Sequence, residues 1–163
     1  MGKKERFYLL WGFLMYFIAH RGNTKGPDKK ENHPDHIVDS IKKGFNVEID
    51  VWYSDKKYVL GHDHPQYEVA ANFLKNDLFW CHAKNIVALE KMITDQDIHC
   101  FWHQEDFVTL TSKNYIWTYP QKTLTKKSIC VMPEKNTFDT NRNEISLCSG
   151  ICSDYIEFYR EMF

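Results

Sequence analysis

Residues 46–53 alternate without a break. Val47, Ile49 and Val51 fall on one face of an extended strand; Asn46, Glu48, Asp50 and Trp52 fall on the other. No other stretch constrains the fold as tightly. A row of β-branched residues demands apolar cover, which marks an interior strand rather than a solvated edge. The opposite face then carries two carboxylates close enough to repel, and such a pair stays ionised only beside a cation. A hard divalent ion with oxygen ligands, Mg²⁺ or Ca²⁺, meets that need. The chain is therefore expected to hold this strand between helices on one side and a charged site on the other.

The rest of the chain supplies elements for such a fold. Strand-like runs occupy residues 15–19, 58–60, 78–82, 98–103, 107–110, 115–118, 128–132 and 151–156. Residues 36–43 place Ile37 and Ile41 four apart and stop at Gly44, a short helix. Residues 85–93 read as an amphipathic helix with Ile86, Leu89 and Ile93 on one face. The stretches 23–36 and 133–149 are polar and read as loops. Helices separate the early strands, whereas the later strands lie too close together for full crossovers. The expected fold is α/β: a reduced or incomplete TIM-type (β/α) barrel with several crossover helices missing. A full barrel of that type takes about 250 residues, and this chain has 163. One domain over residues 15–163 is expected, preceded by an apolar extension at 1–14.

Bulk properties narrow the function. The net charge of -1 offers no field for nucleic acid or an anionic membrane, so any phosphate binding must be local. Five cysteines, an odd count without a C-x-x-C, sit largely in apolar runs and read as reduced and structural, which favours the cytoplasm. No second pair completes a zinc site around Cys148 and Cys152. Lys3, Lys4 and Arg6 precede an apolar run at 7–19 that resembles a signal core, leaving membrane association or secretion as the alternative. That run is shorter than the ~20 residues of a spanning helix, so no obligatory membrane insertion is expected.

Several strand ends carry reactive side chains. His20 directly follows the first apolar strand, with Arg21 and Gly22 behind it; His62 occupies a similar strand-to-loop position. Two histidines can share acid and base duties near neutral pH. Arg21 is suited to bidentate phosphate contact. Trp117 is a candidate to cover a substrate, the alternative being a core tryptophan. His103 and Glu134, also at strand ends, are lesser candidates for the same mouth.

Ala19-His20-Arg21-Gly22, Glu31-Asn32, Gly44, Glu48-Ile49-Asp50-Val51 and Gly61-His62-Asp63 together resemble the N-terminal signature of the glycerophosphodiester phosphodiesterase family, to which metal-dependent phospholipase D toxins are related. The resemblance is dense over about the first 65 residues and thin beyond. It implies a βα barrel, two catalytic histidines (His20 and His62) and a divalent metal on Glu48 and Asp50. It places the family's third acidic ligand at His82, where imidazole suits Mn²⁺ or Zn²⁺ better than Ca²⁺. It also places Lys84 at a family lysine, as a substrate-binding residue beside Arg21. The capping insertion after the second histidine is missing.

The expected activity is metal-dependent hydrolysis of a small phosphodiester, a glycerophosphodiester or a related lipid headgroup ester. The alternative is a non-catalytic phosphate- or metal-binding protein. A further enzyme reading is a metal-dependent sugar or nucleotide hydrolase using His82 and His103 with the carboxylates. Oligomeric state is left open.

Overall fold

The computed structural model describes residues 15–135 and 142–163; the apolar extension expected at 1–14 lies outside the described residues. The strands are β1 (Tyr16–His20), β2 (Asn46–Ser54), β3 (Lys57–Leu60), β4 (Tyr67–Val69), β5 (Phe79–Ala83), β6 (Cys100–Trp102), β7 (Val108–Leu110), β8 (Ile116–Thr118), β9 (Ser128–Val131) and β10 (Gly150–Ser153). The α-helices are α1 (Pro34–Lys42), α2 (Ile86–Ile93), α3 (Arg142–Ile145) and α4 (Ile156–Met162).

The expected TIM-type barrel is not what forms. The ten strands make one curled mixed sheet, a half-barrel, with only four short helices among the described residues. Seven strands run parallel in the order β6-β5-β2-β1-β10-β9-β8. β3 and β4 extend the sheet antiparallel from the far half of β2. β7 lies antiparallel on β8. The reason is connection length. β2 to β3 and β7 to β8 are joined by turns too short for a crossover, so those pairs close as hairpins. Asn114, at φ 64°, supplies the left-handed residue of the second turn. Residues 119–127 link β8 to β9 without an α-helix.

Both faces of the parallel core are buried, and period-two alternation sorts its side chains. Val47, Ile49, Val51, Cys81, Cys100, Cys130 and Ile151 face outward and pack with Ile37, Ala88, Met92, Ile156 and Tyr159 from the helices. Ile18, Trp80, Phe101, Trp117, Ile129, Val131 and Cys152 face into the curl and form a second core. All five cysteines are free and buried. Among the described residues, no helix is long and apolar enough to cross a membrane.

Local expectations shift too: α3 forms inside the stretch read as a loop at 133–149, and β4 forms where no strand was expected. α2 buries Ala88 and Met92, whereas Ile86 and Ile93 are exposed. Asn85 sets that phase: its side chain caps Ala88 N–H and donates to the Tyr53 carbonyl, so the helix starts at a fixed angle to β2. The run at 151–156 divides, β10 ending at Ser153 and α4 starting at Ile156.

The closed end of the curl is filled by rings. Trp80 meets Tyr16, Tyr115 and His99 at centroid distances of 5.6, 5.2 and 4.2 Å. His99 is 8% exposed, with Nε2 at 2.8 Å from Thr111 Oγ1. Burial, aided by Lys113, pushes its imidazole down to about 4. The unfolded chain binds that proton near pH 6.5 and the folded chain only near 4. His99 therefore contributes stability that is full above pH 6.5 and lost as the pH falls toward 4, about 3 kcal/mol in all. The urea midpoint should drop across this window, and His99→Phe should flatten the drop. An equally steep drop in the variant would place the acid sensitivity elsewhere.

Candidate metal centre and its surroundings

The carboxyl ends of the parallel strands open onto one cavity of about 260 Å³. Register decides what meets there. His20 pairs with Glu48 across β1 and β2, and Asp50 pairs with His82 across β2 and β5. Side chains on neighbouring parallel strands at the same register point the same way, so all four project inward. Glu48 is 2% exposed and Asp50 fully buried.

Asp50 is held from three sides. Its Oδ2 accepts from Asn32 Nδ2 at 2.9 Å and lies 3.0 Å from Arg21 Nε. Its backbone N–H donates to Asn32 Oδ1 at 2.9 Å, so Asn32 clamps side chain and main chain together. Arg21 and Asn32 both adopt positive φ, 53° and 62°, which turns the chain sharply enough to aim them back at β2. Oδ1 faces His82 Nδ1 at 3.1 Å and Lys84 Nζ at 3.6 Å. Oδ1 is fully buried; these two cationic side chains are the groups nearest to it, and no backbone or amide donor partners it. Burial raises the Asp50 carboxyl, but His82, Arg21 and Lys84 outweigh it and hold the group well below the usual carboxylate range.

His82 is equally fixed. Its ring stacks on Phe101 at 5.1 Å and 6°, and Nε2 lies 2.9 Å from the His103 carbonyl oxygen. A carbonyl only accepts, so Nε2 carries the proton and Nδ1 points its lone pair toward Glu48 and Asp50 when the ring is neutral. Glu48, Asp50 and His82 each present a ligand atom within 4.8 Å of the others. These three residues form a cluster able to hold a metal ion, and the unpartnered Asp50 Oδ1 is the atom that fits one.

His20 stands beside the cluster. Its Nδ1 lies 2.7 Å from Asp154 Oδ1, and its Nε2 lies 3.9 Å from Glu48 Oε2. Burial lowers its affinity for a proton, but Asp154 and Glu48 more than compensate and leave its pKa raised. Asp154 is oriented in turn. Asn23 Nδ2 donates to Oδ1 at 2.8 Å, and Glu134 Oε1 accepts from the Asp154 N–H at 3.1 Å and from Ser153 Oγ at 2.8 Å. Asp154→Asn keeps the shape and removes the charge. The fold should persist and the His20 imidazole should lose the upward shift it owes to Asp154, read by NMR titration; an unchanged titration would show that Asp154 does not set the state of that ring.

The remaining predicted residues divide. Lys84 and Trp117 line the cavity, Trp117 as floor against Phe101 at 4.5 Å. Arg21 lines it too, with Nε committed to Asp50 and Nη1 to Glu31 at 3.0 Å. His62 is on the rim, its side chain 40% exposed and Nδ1 2.7 Å from Asp63. Gly61 holds that rim to β2: its N–H donates to the Asp50 carbonyl at 3.1 Å, and its own carbonyl accepts from Trp52 Nε1 at 2.6 Å. At φ 150°, a Cβ there would run into the His64 carbonyl oxygen.

Asp154, Asn23 and the buried His103 are what sequence reasoning underrated. Asp154 and His103 each directly follow a strand, and an acidic or imidazole side chain at that place is the signal they share; Asn23, three residues past β1, carries no such signal. A wider depression of about 480 Å³, lined by Tyr53, Tyr58, Lys91 and Asp95, is a poorer candidate. Asp95 is paired with Lys75 at 2.7 Å, and among the described residues no buried unpartnered side-chain atom belongs to its lining.

No protein-family model, curated protein or solved structure matches the chain.

Proposed function

We propose that the protein is a metal-dependent phosphodiester hydrolase acting on a small phosphodiester, of the kind expected from the glycerophosphodiester phosphodiesterase resemblance. One observation carries this reading: an ion-binding cluster with an unpartnered buried oxygen lies against a carboxylate-oriented imidazole in one cavity. Glu48, Asp50 and His82 would hold a divalent ion, which when bound would supply Lewis-acid charge for a phosphoryl group in the cavity. Lys84 adds a positive charge at the same wall. Arg21 balances the buried Asp50 and lines the cavity. His20 Nε2, with Nδ1–H held by Asp154, takes the proton from an attacking oxygen. His62, at the rim, is placed to return a proton to the departing alkoxide.

The ligand set favours Mn²⁺ or Zn²⁺ over Mg²⁺ or Ca²⁺, because one of three donors is imidazole. Without an ion, burial lowers His82 but Asp50 and Glu48 raise it further, to about 9. An ion must then displace a proton. Affinity should climb about tenfold per pH unit from pH 6.5 toward 9. Titration calorimetry at several pH values checks this, and a flat profile would remove His82 from the ligand set. His82→Glu should shift preference toward Mg²⁺ and Ca²⁺.

The protonated His82 also supports the second reading, a non-catalytic phosphate- or metal-binding protein, since it can neutralise the carboxylates by itself. One assay separates them. The purified protein is analysed for bound metal and given bis(p-nitrophenyl) phosphate with and without chelator. Hydrolysis that chelation abolishes and Mn²⁺ restores is expected; bound metal with no hydrolysis of any phosphodiester would favour the binding protein.

A further inference from the structure

His103 follows β6 and is 6% exposed, yet neither ring nitrogen has a hydrogen-bond partner. It is the one imidazole among the described residues in that condition. The ring leans on Tyr119 at 4.3 Å and lines the same cavity as Lys84 and Trp117. Its carbonyl oxygen holds His82, so the main chain at this position is already fixed. The side chain does nothing else that the protein itself answers. A neutral imidazole carries one donor and one acceptor, and buried polar groups are ordinarily paired.

The missing partner has a definable chemistry. Phosphoryl oxygens only accept, and the cations Arg21 and Lys84 already suit them. A hydroxyl both donates and accepts, so it pairs with either neutral tautomer. Tyr119, against the ring, and Trp117, elsewhere in the same lining, supply apolar walls for the carbons that carry such a hydroxyl. The geometry points to His103 as a substrate-contacting, specificity-determining residue that recognises a free hydroxyl on the alcohol half of the phosphodiester. This inference rests on the phosphodiesterase reading of the cavity.

The test uses His103→Phe, which keeps the ring against Tyr119 and the carbonyl beneath His82, and His103→Asn, which restores a donor and an acceptor. Binding is measured on metal-loaded protein with two non-hydrolysable phosphonate analogues, one bearing a hydroxyl on its alkyl arm and one lacking it. Wild type should prefer the hydroxylated analogue by about tenfold or more. His103→Phe should erase that preference and leave affinity for the plain analogue within about twofold, and His103→Asn should recover part of the preference. Turnover of the corresponding diesters should follow the same order, read in KM. A preference that survives in His103→Phe overturns the inference and leaves the phosphodiesterase reading standing; equal binding of both analogues by wild type does the same, and assigns the ring an ordered water. Hydroxyl-selective binding that depends on His103 with no turnover of any diester fails the enzyme reading alone. If neither analogue binds, both fail.

Discussion

If the proposed function is right, Asp50→Asn should abolish metal binding and phosphodiester turnover together. The substitution keeps the bond to Asn32 and the side-chain volume, but removes the negative charge that faces His82, Arg21 and Lys84 across 3.0 to 3.6 Å. Losing a residue that merely supports a ligand weakens metal binding by about 10- to 100-fold. Losing a ligand, with the Arg21 and Lys84 charges then facing a neutral amide, should exceed the upper figure. Glu48→Gln should act in the same direction, and the double variant should bind no ion in metal analysis. Full metal content in the double variant would move the site elsewhere. Circular dichroism should show both single variants folded, because Val47, Ile49 and Val51 anchor β2 from its other face.

His20→Ala should lower turnover by roughly 10²-fold or more, the scale of a lost general base, while metal affinity changes little. The imidazole touches Glu48 only at 3.9 Å and is bound chiefly to Asp154. Removing it leaves the ion-binding cluster intact. His62→Ala should cost turnover on a comparable scale, but His62 sits in a different setting: it is partly exposed and paired with Asp63. The His20 limb of the pH profile should carry the upward shift imposed by Asp154 and Glu48, and it should vanish in His20→Ala. Near wild-type turnover in His20→Ala would remove the base from the proposal. A drop in metal content as large as the drop in rate would recast His20 as a structural neighbour of Glu48.

The two experiments separate functions that share one wall of the curl. Glu48 and Asp50 are two residues apart on one strand, and that spacing alone put both on one face. The same alternation placed Val47, Ile49 and Val51 outward, and the ends of β1, β2 and β5 were legible as apolar runs closed by His20, paired acids and His82. Periodicity of two is local, set by the pleat of the backbone, and needs no knowledge of the partner strand. The phase of α2 was misread because Ile86, Leu89 and Ile93 share the same spacing as Ala88 and Met92. Only the Asn85 cap and its bond to Tyr53 distinguish them.

What the sequence by itself determined is most of the strands, β4 excepted, the two faces of β2, and the residues offered at the strand ends. Only the tertiary structure decided that the strands curl into an open half-barrel rather than a reduced (β/α) barrel, because the short connections, those of the later chain already legible, close as hairpins and add antiparallel strands to the sheet. It alone decided that Asp50 stands opposite His82, since register between strands is set by packing over the whole sheet. It alone brought Asp154 to His20 across 134 residues and left His103 buried without a partner. Contacts of that separation leave no periodic trace in a single chain; they arise when two strand ends, each patterned by its own neighbours, are carried to the same mouth.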